Sequence, residues 1–195
     1  MEIKRLTKDD VSYIYQFSMT EEFPKEELKP LVQILQLMQE GDYECIGLYT
    51  QGELCGYGFF QKADDTEYIL LDYLTILKKY RNEGYGSKFL NLLSHYYKDY
   101  KGIVAEVEQV TDHDSEEENK LRRRRFRFYE RAGFERLNFK CSVFNVPFCM
   151  YVFRKHSLEQ TQLEKEVAEA ESAFYRRHLP PKIYNKMVKI ELTRE

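Results

Sequence analysis

Apolar residues recur along this chain with two periods, one near two and one near 3.6, and the changes between them mark its elements. Glu2 to Leu6 alternates as a first strand, and Thr7 can cap a helix with Val11, Ile14, Tyr15 and Ser18 on one face. A second helical stripe joins Leu28, Leu31, Val32, Leu35 and Met38 and stops near Gly41, while Pro24 and Pro30 keep the helices here short. Tyr43 to Tyr49 and Leu54 to Phe60 read as strands joined through Gln51-Gly52-Glu53, a hairpin signal. Past a turn at Ala63 to Thr66, Tyr68 to Leu77 is rich in apolar, β-branched and aromatic residues and too short to span a membrane; it reads as a buried strand. Phe89, Leu90, Leu92, Leu93, Tyr96 and Tyr97 then return at helical spacing, which starts a helix near Gly84 to Ser87. Gly102 to Val110 is the next strand, and the helical crossover predicts it parallel to its predecessor. A polar stretch from Thr111 to Asn119 leads into an arginine-rich helix ending at Ala132, with Gly133 as its C-cap. Strands near Arg136 to Phe144 and Phe148 to Arg154 flank Asn145-Val146-Pro147.

The order is β-α-α-β-β-β-α-β-α-β-β, an α/β chain with a mixed sheet of about seven strands between helices. It occupies residues 1–155. From His156 onward the pattern changes: Leu163, Val167, Ala170 and Phe174 form a helical stripe, Pro180-Pro181 ends it, and Ile183 to Leu192 is a short apolar element whose type stays open. This extension, 156–195, reads as an extra layer packed on the same domain. A dimer contact or a lid over a substrate site are the alternatives.

The junction between the apolar strand and the helix, Arg81-Asn82-Glu83-Gly84-Tyr85-Gly86, carries the strongest chemical signal. Glycines at 84 and 86 allow a sharp turn, and the free N–H groups of a helix start then meet whatever lies above. Those donors and the helix dipole suit a phosphate anion. The stretch is not the dinucleotide fingerprint, which needs a third glycine, nor a Walker A loop, which needs G-K-[ST].

Together with Phe128-Tyr129-Glu130-Arg131-Ala132-Gly133-Phe134, the stretch resembles the acetyl-CoA-dependent N-acetyltransferases of the GNAT superfamily, which carry [RQ]-x-x-G-x-[GA] after the fourth strand and Y-x-x-x-G-F later. The resemblance implies acetyl-CoA as cosubstrate, no metal, and acetyl transfer to a primary amine by direct attack. It implies that backbone N–H groups of Arg81, Asn82, Glu83, Gly84, Tyr85, Gly86 and Ser87 hold the coenzyme pyrophosphate, with the Ser87 hydroxyl adding a hydrogen bond. It assigns the backbone of Leu74, Thr75 and Ile76 to the pantetheine arm, and Tyr129 to the coenzyme sulfur as proton donor. As an unassisted reading, Tyr129 is a core aromatic beside Phe126 and Phe128.

The base is less defined. Asp72 stands among Leu70, Leu71 and Leu74, where a carboxylate is hard to explain as core, and desolvation would raise its pKa toward a proton acceptor's. The family often places its acid at a different position of this strand, which here holds Leu70. Glu106 and Glu108, alternating with Val104 and Val110, are the other candidates to take the proton or attract a cationic acceptor. Many family members carry an asparagine and a small residue where this chain has Arg122 and Arg125. The run Arg122 to Arg125, with Arg127 and Arg131, can serve the 3'-phosphate of the coenzyme or form a solvated face beside Glu116 to Glu118.

Composition narrows the rest. With 195 residues the chain is long enough for one sizeable core, and a net charge of −3 argues against nucleic acid or an anionic membrane as partner. No signal core opens the sequence, so a cytoplasmic protein is expected. Cys45, Cys55, Cys141 and Cys149 lie far apart without metal-ligand spacing and read as reduced core thiols. Thr111-Asp112-His113-Asp114, with one histidine, reads as a solvated loop rather than a metal site. The acceptor stays open between small-molecule and peptide amines, a homodimer stays open, and a coenzyme-binding member with a regulatory or interaction role is the alternative to an enzyme.

Overall fold

The computed structural model describes residues 1–192 and divides them into two compact units. One holds Met1–Lys62 and Leu71–Leu93; the other holds Ala63–Leu70 and everything described from Ser94 onward. The fold is mixed α/β, with nine strands among the described residues.

In the first unit, β1 (Glu2–Arg5) pairs antiparallel with β2 (Tyr43–Thr50), from Glu2 opposite Tyr49 to Arg5 opposite Ile46. β2 turns into β3 (Glu53–Gln61) through Gln51 and Gly52, whose φ values of 51° and 83° make the left-handed two-residue hairpin that matches strand twist. β4 (Tyr68–Ile76) follows β3, its last residues lying in this unit. α1 (Lys8–Ile14) starts at a capping box in which Thr7 and Asp10 satisfy each other's backbone N–H. It runs through a π-turn, Tyr15–Met19, into the single turn α2 (Thr20–Glu22). Pro24 and Pro30 then bracket a 3-10 turn, Lys25–Glu27.

α3 (Leu31–Glu40) ends on Gly41 at φ 87°. Most of the stripe expected from sequence spacing faces inward, with Leu28, Leu31, Leu35 and Met38 packed, partly buried, against the core. Pro30 is the N-cap, so Leu28 falls outside the helix, Val32 is 74 % exposed, and Ile34 and Leu37 take the core. There they join Leu6, Val11, Ile14 and Met19 against Tyr43, Cys45, Tyr57, Phe59 and Tyr73. Burying each large apolar side chain contributes about 1.5–3 kcal/mol. A 3-10 turn, Lys78–Tyr80, and a loop lead from β4 to α4 (Tyr85–Tyr96), which buries Phe89, Leu90 and Leu93.

The second unit is built on β5 (Gly102–Glu108), β8 (Val146–Arg154), β7 (Phe139–Val143) and β9 (Val188–Leu192), neighbours in that order and antiparallel. A two-residue β6 (Glu135–Arg136) also pairs with β8. The strand expected over Arg136 to Phe144 is thus divided, and the turn sits earlier than Asn145-Val146-Pro147. Phe144 and Asn145, at φ 49° and 67°, make it, and β8 already begins at Val146. α5 (Glu116–Arg131) opens on a second capping box, Ser115 with Glu118. The extension forms α6 (Gln160–His178), α7 (Pro181–Met187) and β9, resolving the open element into helix then strand. Leu163, Val167, Ala170 and Phe174 of α6 pack with Leu70, Val104, Cys141, Met150 and Val152 in this unit's core.

Candidate active site

Leu74, Thr75 and Ile76 close β4, and the turn after them is fixed by backbone bonds from Leu77 N to Cys55 O and from Tyr80 N to Leu77 O, both 2.8 Å. Gly56 on β3 permits this approach, since a Cβ there would stand 2.6 Å from the Thr75 carbonyl oxygen. Arg81 folds back on the strand end: its Nε donates to the Ile76 carbonyl at 2.7 Å and its guanidinium meets Glu22. Asn82 at φ 66° and Gly84 at φ 78° then turn the chain left-handed into α4. The bond from Lys88 N to Gly84 O, 3.1 Å, is the first of the helix, so the amides of Tyr85, Gly86 and Ser87 belong to the first turn, which has no intrahelical acceptors. Asn82, Glu83, Gly84 and Ser87 are exposed. The structure therefore gathers residues 82–87 into one open helix start suited to an anion, while the Arg81 side chain is engaged with Ile76 and Glu22 and its backbone N–H donates to the Lys78 carbonyl at 3.4 Å.

Asp72, two residues before Leu74, is not a bare carboxylate. Lys29 Nζ donates to its Oδ1 at 2.9 Å and Oδ2 at 2.6 Å, and the Tyr43 hydroxyl donates to Oδ2. Burial first, and then the Asp72 charge, hold the Tyr43 hydroxyl well above its ordinary titration range, which keeps it a donor. Neither partner has a sequence signal, because they stand 43 and 29 residues away.

Tyr129 lies on α5 in the second unit, half-buried, its ring stacked on Tyr151 at 5.9 Å and edge-on to Phe134 at 5.2 Å. Burial pushes its phenol up to about 12, with Arg125 pulling the other way.

The other sequence candidates are occupied by the chain itself. Glu106 on β5 accepts the Tyr175 hydroxyl of α6 on both oxygens, at 2.9 Å each. Glu108 takes Arg122 at 2.7 Å, and the same guanidinium reaches Asp114. Arg122 therefore closes the Thr111 to Asp114 loop onto β5, helped by Asn119, whose side chain bonds both backbone groups of Thr111. The Thr111 hydroxyl first, and Arg122 second, hold Asp114 below the usual carboxylate range. Arg123 pairs with Glu116.

All four cysteines are free and buried. Burial raises every one of these thiols, most strongly Cys45 and Cys141, so none is an activated nucleophile. Among the described residues, Glu106, Cys141 and Glu171 have donor atoms within 4.8 Å of one another, the spacing of a metal group. No described helix is long and apolar enough to cross a membrane.

Residues 41–136 match the model of the acetyltransferase (GNAT) domain. The chain is 28% identical over 160 residues to "Putative acetyltransferase YjbC" of Bacillus subtilis (strain 168), covering 80% of this chain and 77% of that protein. A "putative acetyltransferase from GNAT family" of Bacteroides thetaiotaomicron superposes with a TM-score of 0.65 at 22% identity, over 86% of this chain and 94% of that one. Aminoglycoside 6'-N-acetyltransferase complexed with coenzyme A gives 0.56 at 16% identity, over 82% and 99%. The ribosomal-protein-S18-alanine N-acetyltransferase of Escherichia coli gives 0.59 at 14% identity, over 82% and 96%. Likeness at these identities shows a shared fold.

Proposed function

This chain belongs to the GNAT superfamily of acetyltransferases, and on that premise we propose that it moves an acetyl group from acetyl-CoA to a primary amine by direct transfer. The observation that carries the coenzyme half of this reading is the left-handed entry at Asn82 and Gly84 into an exposed helix start. Bound there, acetyl-CoA supplies a thioester carbonyl activated for attack by an amine. The amides of residues 82–87 would hold its pyrophosphate, and the Leu74 to Ile76 backbone its pantetheine arm.

The chain's own groups manage protons. Asp72, or Glu106 in its place, takes a proton from the acceptor's ammonium, directly or through water. The nitrogen–carbon bond forms as the carbon–sulfur bond breaks, Tyr129 gives its proton to the departing thiolate, and the second proton shed by the acylated nitrogen restores the Tyr129 phenol through water, leaving one proton on the base. Thiols kept neutral by burial offer no covalent relay, which supports direct transfer. Free thiols also fit a reducing cytoplasm. The neighbours named for an aminoglycoside and for a ribosomal-protein alanine support an amine as the proposed acceptor without choosing one.

Because Asp72 and Glu106 are both engaged by side chains of the chain itself, a second reading is a coenzyme-binding protein that does not turn over. Calorimetry with acetyl-CoA and a thiol-release assay over a panel of amines separates the two. Binding with release supports the enzyme, binding without release the second reading, and no binding sinks both.

A further inference from the structure

Lys29 ends the segment between Pro24 and Pro30, and its ammonium is received as a ligand would be. It donates to both Asp72 oxygens, at 2.9 and 2.6 Å, and lies 5.6 Å from the Tyr73 ring centroid. Tyr43 is fully buried behind the carboxylate and donates to it, Tyr73 is 5 % exposed, and the Lys29 side chain keeps 24% of its surface open. A carboxylate fork with an aromatic face beside it is a receptor for a primary ammonium. The segment has a separate anchor. The Tyr73 hydroxyl accepts from the Lys29 backbone N–H at 2.9 Å and donates to the Glu27 carbonyl at 2.7 Å, tying the same stretch to β4 through a neutral side chain.

We propose that Asp72, Tyr43 and Tyr73 form an ammonium subsite for a primary alkylamine acceptor, and that Lys29 is its resident competitor, which the acceptor must displace. The inference rests on the acetyltransferase reading for its purpose, but the subsite is tested by binding alone. If Lys29 fills the subsite nine-tenths of the time, it weakens the apparent affinity of an incoming amine about tenfold. Two N–H bonds to the carboxylate are required of the ligand, so a quaternary ammonium of equal charge does not substitute.

The test uses the full chain and n-butylammonium, with butyltrimethylammonium as the control cation. Lys29→Met keeps the aliphatic stem and leaves Asp72 without its cation, which lowers Tm. Butylammonium should bind this variant about tenfold more tightly than wild type in calorimetric titration and restore its Tm, while butyltrimethylammonium should do neither. Lys29→Arg should stay blocked, and Lys29→Met with Asp72→Asn should lose the gain. If Lys29→Met does not fold, Lys29→Gln takes its place in the same titration. Equal butylammonium affinity in wild type and variant, or tight binding that survives Asp72→Asn, overturns the proposal. Acetyl-CoA titrated in parallel reports on the transferase reading separately.

Discussion

The Tyr175 hydroxyl donates to both oxygens of Glu106 at 2.9 Å, across 69 residues of sequence. The C-terminal extension therefore supplies a hydrogen-bond donor to Glu106 beside Cys141 and Glu171. Tyr175→Phe keeps the ring and removes the donor. Stability should fall by about 1.5–3 kcal/mol, the usual contribution of a hydrogen bond to a charged group. Denaturant unfolding checks this, and an unchanged midpoint would mean that Glu106 finds another donor.

Gly84 sits at φ 78° with nothing within 4 Å of a notional Cβ, so only backbone conformation restricts it. Gly84→Ala should cost about 1–2 kcal/mol of stability for a left-handed L-residue. Gly86→Leu lies in the first turn of α4 and should leave folding intact while strongly weakening acetyl-CoA binding by calorimetry. Unaltered affinity in Gly86→Leu would move the coenzyme away from this helix start.

Tyr129→Phe should lower turnover by about a hundredfold or more, the usual contribution of a positioned acid, with coenzyme affinity nearly intact. Burial pushes this phenol up to about 12, so it stays protonated through neutral and mildly alkaline conditions. An alkaline loss of activity well below that value must come from another group. Equal turnover in the variant, with chemistry rate-limiting, would leave Tyr129 a packing residue.

Asp72→Asn should retain acetyl-CoA binding and lose amine acetylation near neutrality. Activity should return in part at higher pH, where the free amine needs no base. A kcat/KM equal to wild type across the pH range would make the Lys29–Asp72 pair structural and turn attention to Glu106.

Asp114 is held below its ordinary value of 3.8 by Thr111 and then Arg122. A depressed carboxylate stabilises the fold above its unfolded pKa, and that contribution disappears as pH falls below 3.8 through the lowered folded value. Arg122→Met should therefore flatten the acid limb of a stability-against-pH curve. An identical limb in the variant would show that the Arg122 latch contributes nothing there.

Local chemistry was readable from the sequence because its causes are local. The capping boxes Thr7/Asp10 and Ser115/Glu118 close within three residues, and the Gln51-Gly52 turn and the left-handed Gly84 follow from what each residue's backbone tolerates. The order of strands and helices came from the period of apolar residues, and family membership from two short motifs in the right order. The partners of the acidic residues did not. Asp72 stood out as a carboxylate in an apolar strand, but Lys29 and Tyr43 reach it only in the folded chain. The same holds for Tyr175 on Glu106, and for Arg122 on Glu108 and Asp114. Val32 and Ile34 show the limit for packing as well: the expected stripe packs on the core except at Val32, which is exposed, while Ile34, outside that stripe, is fully buried. Periodicity records that a face is apolar and a strand buried. Which donor answers a buried acceptor is decided by what packs against it, and that is a property of the tertiary structure alone.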